Sequence, residues 1–291
     1  MNKLPPRLTF AVLCAVSLIL WYRPLLDTFA LATGNDQYTH ILLILPVVAA
    51  LIIQGWRERG YQPQIWIRGR SPLLFLLVVY ATKWIHMGES SDVRLAIEMA
   101  ILVVWWIASF LFCFGLPALR AFRFPLLFLF ALVPLPRIVL DPVVAILQQG
   151  STLAAQFLFL LFRVPVSREA TALLIPGLEI DVTAECSSIR SSLMLLVTTM
   201  VLAHLLLNTP WRKVLIVLVA LPLSVAKNGL RIFSIGMLGT RVDPSYLSGH
   251  LHRQGGIIFL LIALAAIFVL LWILRRGEMV GPAPQLGPET S

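Results

Sequence analysis

Long apolar runs alternate with short polar breaks along almost the whole chain. About 20 apolar residues in a row let a helix cross the hydrocarbon core of a bilayer. Eight such spans are read, at 8–28, 38–55, 71–87, 93–114, 118–136, 186–207, 212–239 and 254–274. The first opens like a secretory leader, basic at Lys3 and Arg7 and then apolar. Arg23 and Pro24 separate that run from the small-residue Ala30-Leu31-Ala32, too far for a cleavage site, so it reads as an uncleaved first helix.

Two stretches break the pattern. Residues 139–162 are apolar but carry Asp141, Gln148, Gln149 and Gly150, which predicts an amphipathic or re-entrant helix on the outer face. Residues 164–185 hold β-branched residues around Pro176-Gly177 and predict a short β-hairpin. That hairpin must rest on protein, because lipid leaves backbone groups unpaired. No internal repeat is evident. The predicted organisation is one all-α, polytopic membrane-embedded domain over 1–276, followed by a disordered, polar cytoplasmic tail over 277–291.

Composition agrees. At 59% hydrophobic, 13% charged and a mean hydropathy of +0.89, the chain has too few polar groups to cover a soluble globule. The net charge of +9 has a membrane explanation, since cations are retained in cytoplasmic loops. Along the first five spans, Lys3, Arg7, Arg57, Arg59, Arg68, Arg70, Arg120 and Arg123 fall on the N-terminal side, and only Arg23, Lys83 and Arg94 on the other. Arg212, Lys213, Arg275 and Arg276 join the first group, which puts both termini in the cytoplasm and the chain in the plasma membrane. Counting 139–162 as a full crossing would leave those last four outside. No basic stripe is interleaved with exposed aromatics, so no nucleic-acid partner is expected.

Intramembrane polar groups are costly and therefore candidates for function. Cys186 begins the sixth span, Arg231 lies near the far end of the seventh and His252 just precedes the eighth, so all three fall on the outer face. A thiol activated by a cation is a strong nucleophile. An imidazole can move its proton, and a guanidinium can stabilise a thiolate or an oxyanion. The same residues also suit a packed cysteine, an interfacial arginine and a surface histidine. Cys14 and Cys113 read as apolar packers, out of reach of Cys186.

His40, His86 and His250 share the outer ends of spans, and spacing does not separate His250 from His252. His204 lies at the wrong end. With no HExxH and no histidine pair at i, i+4, no metal or other cofactor is expected. Ser224-Val225-Ala226-Lys227 matches the S-x-x-K spacing of Ser–Lys acyl enzymes, a match that arises readily by chance. Glu98 is a lone carboxylate within the fourth span, with Lys83 or Arg94 as a partner, and hints at transport.

Three ordered segments resemble the exosortase/archaeosortase family: Glu185-Cys186-Ser187-Ser188-Ile189-Arg190-Ser191, Lys227-Asn228-Gly229-Leu230-Arg231-Ile232, and His252 followed by Gly256. They match its Cys-Ser-Gly, Asn-x-x-Arg and His-x-x-x-Gly segments. Tyr38-Thr39-His40, Pro134-Leu135-Pro136, the helix containing Leu147-Gln148 and the hairpin agree with the family layout, so the likeness covers about 36–275. Ser188 stands where the family usually has glycine, which changes backbone freedom beside the cysteine.

The resemblance implies a membrane cysteine protease or transpeptidase acting on exported proteins whose C-terminus carries a short motif, a membrane helix and basic residues. It implies attack by Cys186 to form a thioester, oxyanion stabilisation by Arg231 and proton transfer by His252, with Asn228, Arg190 and His250 in support. Water, an amine or a lipid would accept the product. A transporter lined by Glu98, Lys83 and Arg231, or a non-enzymatic assembly factor for surface polysaccharide export, are the alternatives.

Overall fold

A computed structural model describes residues 5–59, 80–81, 90–182, 189–242 and 250–279, with the side chains of 250–255 and 279 outside that description. The chain divides into two compact units, Met1–Asp141 and Pro142–Ser291. The expected span at 71–87 lies outside the described residues except for Tyr80 and Ala81. The predicted disordered tail lies outside them from residue 280 onward.

In the first unit, α1 (Pro6–Leu20) and α2 (Tyr22–Gly34) meet at a 75° bend. The bend sits at Trp21, which is fully buried and packs edge-on against Tyr80. The first predicted span is therefore not one straight helix but two, bent at Trp21. Asn35 Oδ1 accepts from the Gln37 amide at 3.0 Å and starts a 3-10 turn, Asp36–Tyr38, that leads into α3 (Ile41–Arg59). Next described is α4 (Ser91–Ala121), which leaves helical geometry at Gly115, φ +81°. Only glycine adopts that conformation cheaply, and it falls where the sequence predicted one span to end and the next to begin.

The packing of α1 on α4 uses aromatic edges and indole donors. Trp105 Nε1 donates to the Leu13 carbonyl at 3.2 Å and Trp106 Nε1 to Ser17 Oγ at 2.8 Å. In an apolar interior an unpaired indole N–H would cost about 1–3 kcal/mol, so Ser17 fixes the level at which α1 meets α4.

The predicted span 118–136 is not one helix. After α4 come α5 (Arg123–Phe128), a 3-10 turn at Leu129–Leu132 and an extended Val133. The segment still traverses the unit. Phe122 stacks on Trp56, at the C-terminal end of α3, with centroids 5.5 Å apart. At the opposite end Tyr38 Oη donates to the Leu135 carbonyl at 2.8 Å, and the Arg137 amide donates to Asp92 Oδ2 at 2.9 Å.

The stretch 139–162 is helical, as the sequence predicted. It belongs to one unbroken helix, α6 (Arg137–Leu161), which by length and composition alone is also a candidate membrane span. Pro142 falls in its second turn, where it removes the hydrogen bond to the Ile138 carbonyl, yet the helix continues through it.

In the second unit, α6 runs parallel to α8 (Pro210–Arg241). A Cβ added at Gly150 would lie 3.1 Å from Val225, at Gly229 2.5 Å from Ala154, and at Gly236 2.9 Å from Phe159. The glycines thus permit backbone-close contact of the small-xxx-small kind that membrane helices use. Between them the chain forms an antiparallel meander, β1 (Ser167–Glu169), β2 (Ala172–Ile175) and β3 (Leu178–Asp181), one strand more than the predicted hairpin. Ile175 pairs with Leu178 across Pro176-Gly177, where Gly177 supplies φ +82°. The sheet rests on protein as expected: Leu173 and Ile175 pack into a core with Ala155, Phe159, Ile232 and Phe233.

α7 (Ile189–Leu206), α8 and α9 (His250–Met279) form an antiparallel bundle. Its core is Leu195, Ala203, Leu207, Ile216, Ala220, Ala263, Ile267 and Leu271. The outside is equally apolar, with Trp211, Leu218, Ile257, Leu261, Phe268 and Trp272 all more than half exposed. A surface of that kind is stable against lipid tails and not against water.

Candidate active site

The bundle's geometry is fixed at both ends. At one end Arg212 on α8 donates to the carbonyls of Leu274 (2.5 Å) and Gly277 (3.1 Å) on α9. There the Glu278 carboxylate also accepts from the Asn208 and Thr209 amides at 3.0 and 2.8 Å. At the other end Lys227 Nζ donates to Ser191 Oγ, tying α8 to the first turn of α7. Arg231 lies about 28 Å along α8 from Arg212. Followed back along antiparallel α9, that distance reaches Gly256, with His252 about one turn beyond.

On α8, Ser224, Lys227, Asn228 and Arg231 recur at three- and four-residue spacing and so share one stripe. Lys227 is 6% exposed and Asn228 1%, and Arg231 is half-buried with its Nε shielded from solvent. Charge on a membrane helix is tolerable where it faces protein partners, and Ser191 supplies one. Gly229, on another face, permits the close approach of α6.

Of the residues predicted from sequence, Asn228 and Arg231 stand together on this stripe, and Arg190 is exposed in the first turn of α7. His250 begins α9 and His252 lies in its first turn, though their side chains fall outside the described residues. Cys186 and Ser188 also lie outside them, and Cys186 precedes Ile189 by three residues in the chain. His40 is buried at the start of α3 in the first unit, and His204 lies in the last turn of α7. His86 and Lys83 are outside the described residues.

Sequence reasoning passed over Lys227 as half of an S-x-x-K coincidence. Its partner is Ser191, far away in sequence, and not Ser224. The sequence signals were a lysine deep in an apolar helix and its place at the head of the Lys227–Ile232 segment.

Among the described residues no group of three or more His, Cys, Asp and Glu side chains is arranged to hold a metal. Against known proteins, a family model described as transmembrane exosortase matches residues 21–269. No curated protein matches, and no solved structure matches.

Proposed function

Because the chain belongs to the transmembrane exosortase family, it is a multi-pass membrane protein of sorting-signal processing, and we propose that it cleaves C-terminal sorting tails of exported proteins with Cys186 as nucleophile. The supporting observation is the Lys227–Ser191 hydrogen bond. It ties the helix that follows Cys186 to the stripe of α8 bearing Arg231, and the three residues from Cys186 to Ile189 span at most about 11 Å.

In the proposed reaction His252 takes the Cys186 proton, and the thiolate attacks the scissile carbonyl carbon. A C–S bond forms, and negative charge moves to the carbonyl oxygen, where the Arg231 guanidinium stabilises it. Collapse breaks the C–N bond. The leaving amine takes the proton from His252, and a thioester remains on Cys186. Water, an amine or a lipid nucleophile then attacks the thioester, loses its proton to His252 and displaces the thiolate. Asn228, beside Arg231 on the stripe, helps to orient it. Arg190 and His250 flank the nucleophile and the base.

The reading places this end of the second unit at the outer face. Arg212, Lys213, Arg275 and Arg276 crowd the opposite end, and clustered cations are retained in the cytoplasm. A site at the outer edge suits a bond beside a substrate's own membrane helix, and PEP-CTERM-like tails are the substrate class.

The test is coexpression with a protein bearing a motif–helix–basic tail. Wild type shortens it and Cys186→Ala does not; processing by Cys186→Ala would end the thiol mechanism. Trapping a peptide thioester on Cys186 would identify the cleaved bond, and labelling of Cys186 by a membrane-impermeant alkylator would establish its side.

A further inference from the structure

At one end of the first unit, faces of α2, α4 and the start of α6 line an open cavity of about 1260 Å³. The same pattern occurs on each helix: Arg23 and Asp27, Arg94 and Glu98, Arg137 and Asp141. Residues four apart share a helix face, so each helix offers the cavity a guanidinium and, one turn later, a carboxylate. Among the described residues none of the three pairs closes as an ion pair. Arginine preceding the acid is also the weaker order for such a pair. Asp92, the remaining carboxylate, is engaged by the Arg137 amide. Glu98 is half-buried in the wall, whereas Asp27 and Asp141 are exposed.

A simple anion here would face carboxylates, and a simple cation would face guanidinium groups. A ligand carrying both charges satisfies both sets. Guanidinium forks match the oxygens of a phosphate bidentately, and a carboxylate suits the three donors of a primary ammonium. The volume exceeds the usual 300–1,000 Å³ of a small-molecule pocket, and Leu31, Leu95 and Leu140 add apolar lining.

We infer that this cavity binds a zwitterion joining a phosphate to a primary amine, a phosphoethanolamine group, with the phosphate at the arginines and the amine at Glu98. The group has two sources, a lipid headgroup or a soluble ester. Binding is read without turnover, so the outcome is separate from that of the thiol mechanism.

The experiment is native mass spectrometry of the purified full chain equilibrated with equal amounts of phosphatidylethanolamine, phosphatidylcholine and phosphatidylglycerol. Phosphatidylethanolamine is expected to be retained about tenfold over the others, a difference of about 1.4 kcal/mol. A quaternary amine cannot donate to Glu98, and phosphatidylglycerol has no cation. Glu98→Gln, nearly isosteric, should reduce retention to the phosphatidylcholine level, and Arg94→Gln with Arg137→Gln should lower both. Displacement by soluble phosphoethanolamine assigns the soluble source, and persistence of the lipid assigns the headgroup. Equal retention of phosphatidylglycerol, variants that bind like wild type, or a charged peptide bound in place of any phosphoethanolamine would overturn the proposal.

Discussion

Lys227 is a buried cation whose described partner, Ser191, is neutral, and that asymmetry sets what substitutions should do. Ser191→Ala leaves an ammonium without its acceptor and should lower stability by about 1–3 kcal/mol. Lys227→Met removes the charge with the partner left behind and should cost less. The double variant should then be more stable than Ser191→Ala alone. Thermal unfolding in detergent checks this as a double-mutant cycle, and strictly additive costs would show that the bond contributes no coupling. The same bond anchors the first turn of α7 beside Arg231. Lys227→Met should therefore also slow alkylation of Cys186 at fixed pH, while Lys227→Arg, still a donor, should restore much of the rate.

At the scale of elements, the contact between α6 and α8 depends on the absence of a side chain at Gly229. A Cβ there would lie 2.5 Å from Ala154 Cβ and 3.0 Å from its backbone carbon, and backbone does not yield as a flexible side chain does. Gly229→Ala should cost about 1–3 kcal/mol by overpacking. Gly256→Ala is the matched control. It is helical, with no atom of the described residues within 4 Å of the added carbon, so alanine should be neutral or stabilise by up to about 1 kcal/mol. Melting curves of the two variants separate the cases. Equal losses would mean that helix propensity, not interhelical contact, governs both glycines.

For the whole molecule, the apolar exterior of the bundle fixes where the protein lives, while side is decided by few charges. The charge count assigns both termini to the cytoplasm. A complete crossing by α6 in addition to the eight predicted spans would put the termini on opposite faces. Reporter fusions before Lys3 and after Met279 read this directly, and both are expected on the cytoplasmic side. Opposite sides would show that α6 completes a crossing and that the charge rule misassigned one of the units.

Much of this protein follows from the sequence alone, because burial in lipid imposes requirements that are local and strict. Runs such as 93–114 and 254–274 have only one stable state in hydrocarbon, a helix with its own backbone satisfied. The Pro176-Gly177 turn and the break at Gly115 are equally local, being matters of φ. The segments around Cys186, Asn228–Arg231 and His252 pointed, by resemblance, to the family whose model matches the chain. What sequence missed depended on contacts between distant residues. Breaks at Trp21 and within 118–136 arise where aromatic packing and the Tyr38–Leu135 hydrogen bond outweigh helix continuity. The partners that the polar residues of 139–162 find along α6, Val225 against Gly150 and the Val182 carbonyl for Gln148, were likewise invisible in the sequence. Lys227 meeting Ser191, and three Arg–acid pairs converging on one cavity, could be decided only by tertiary structure, since no local pattern records which helix faces meet.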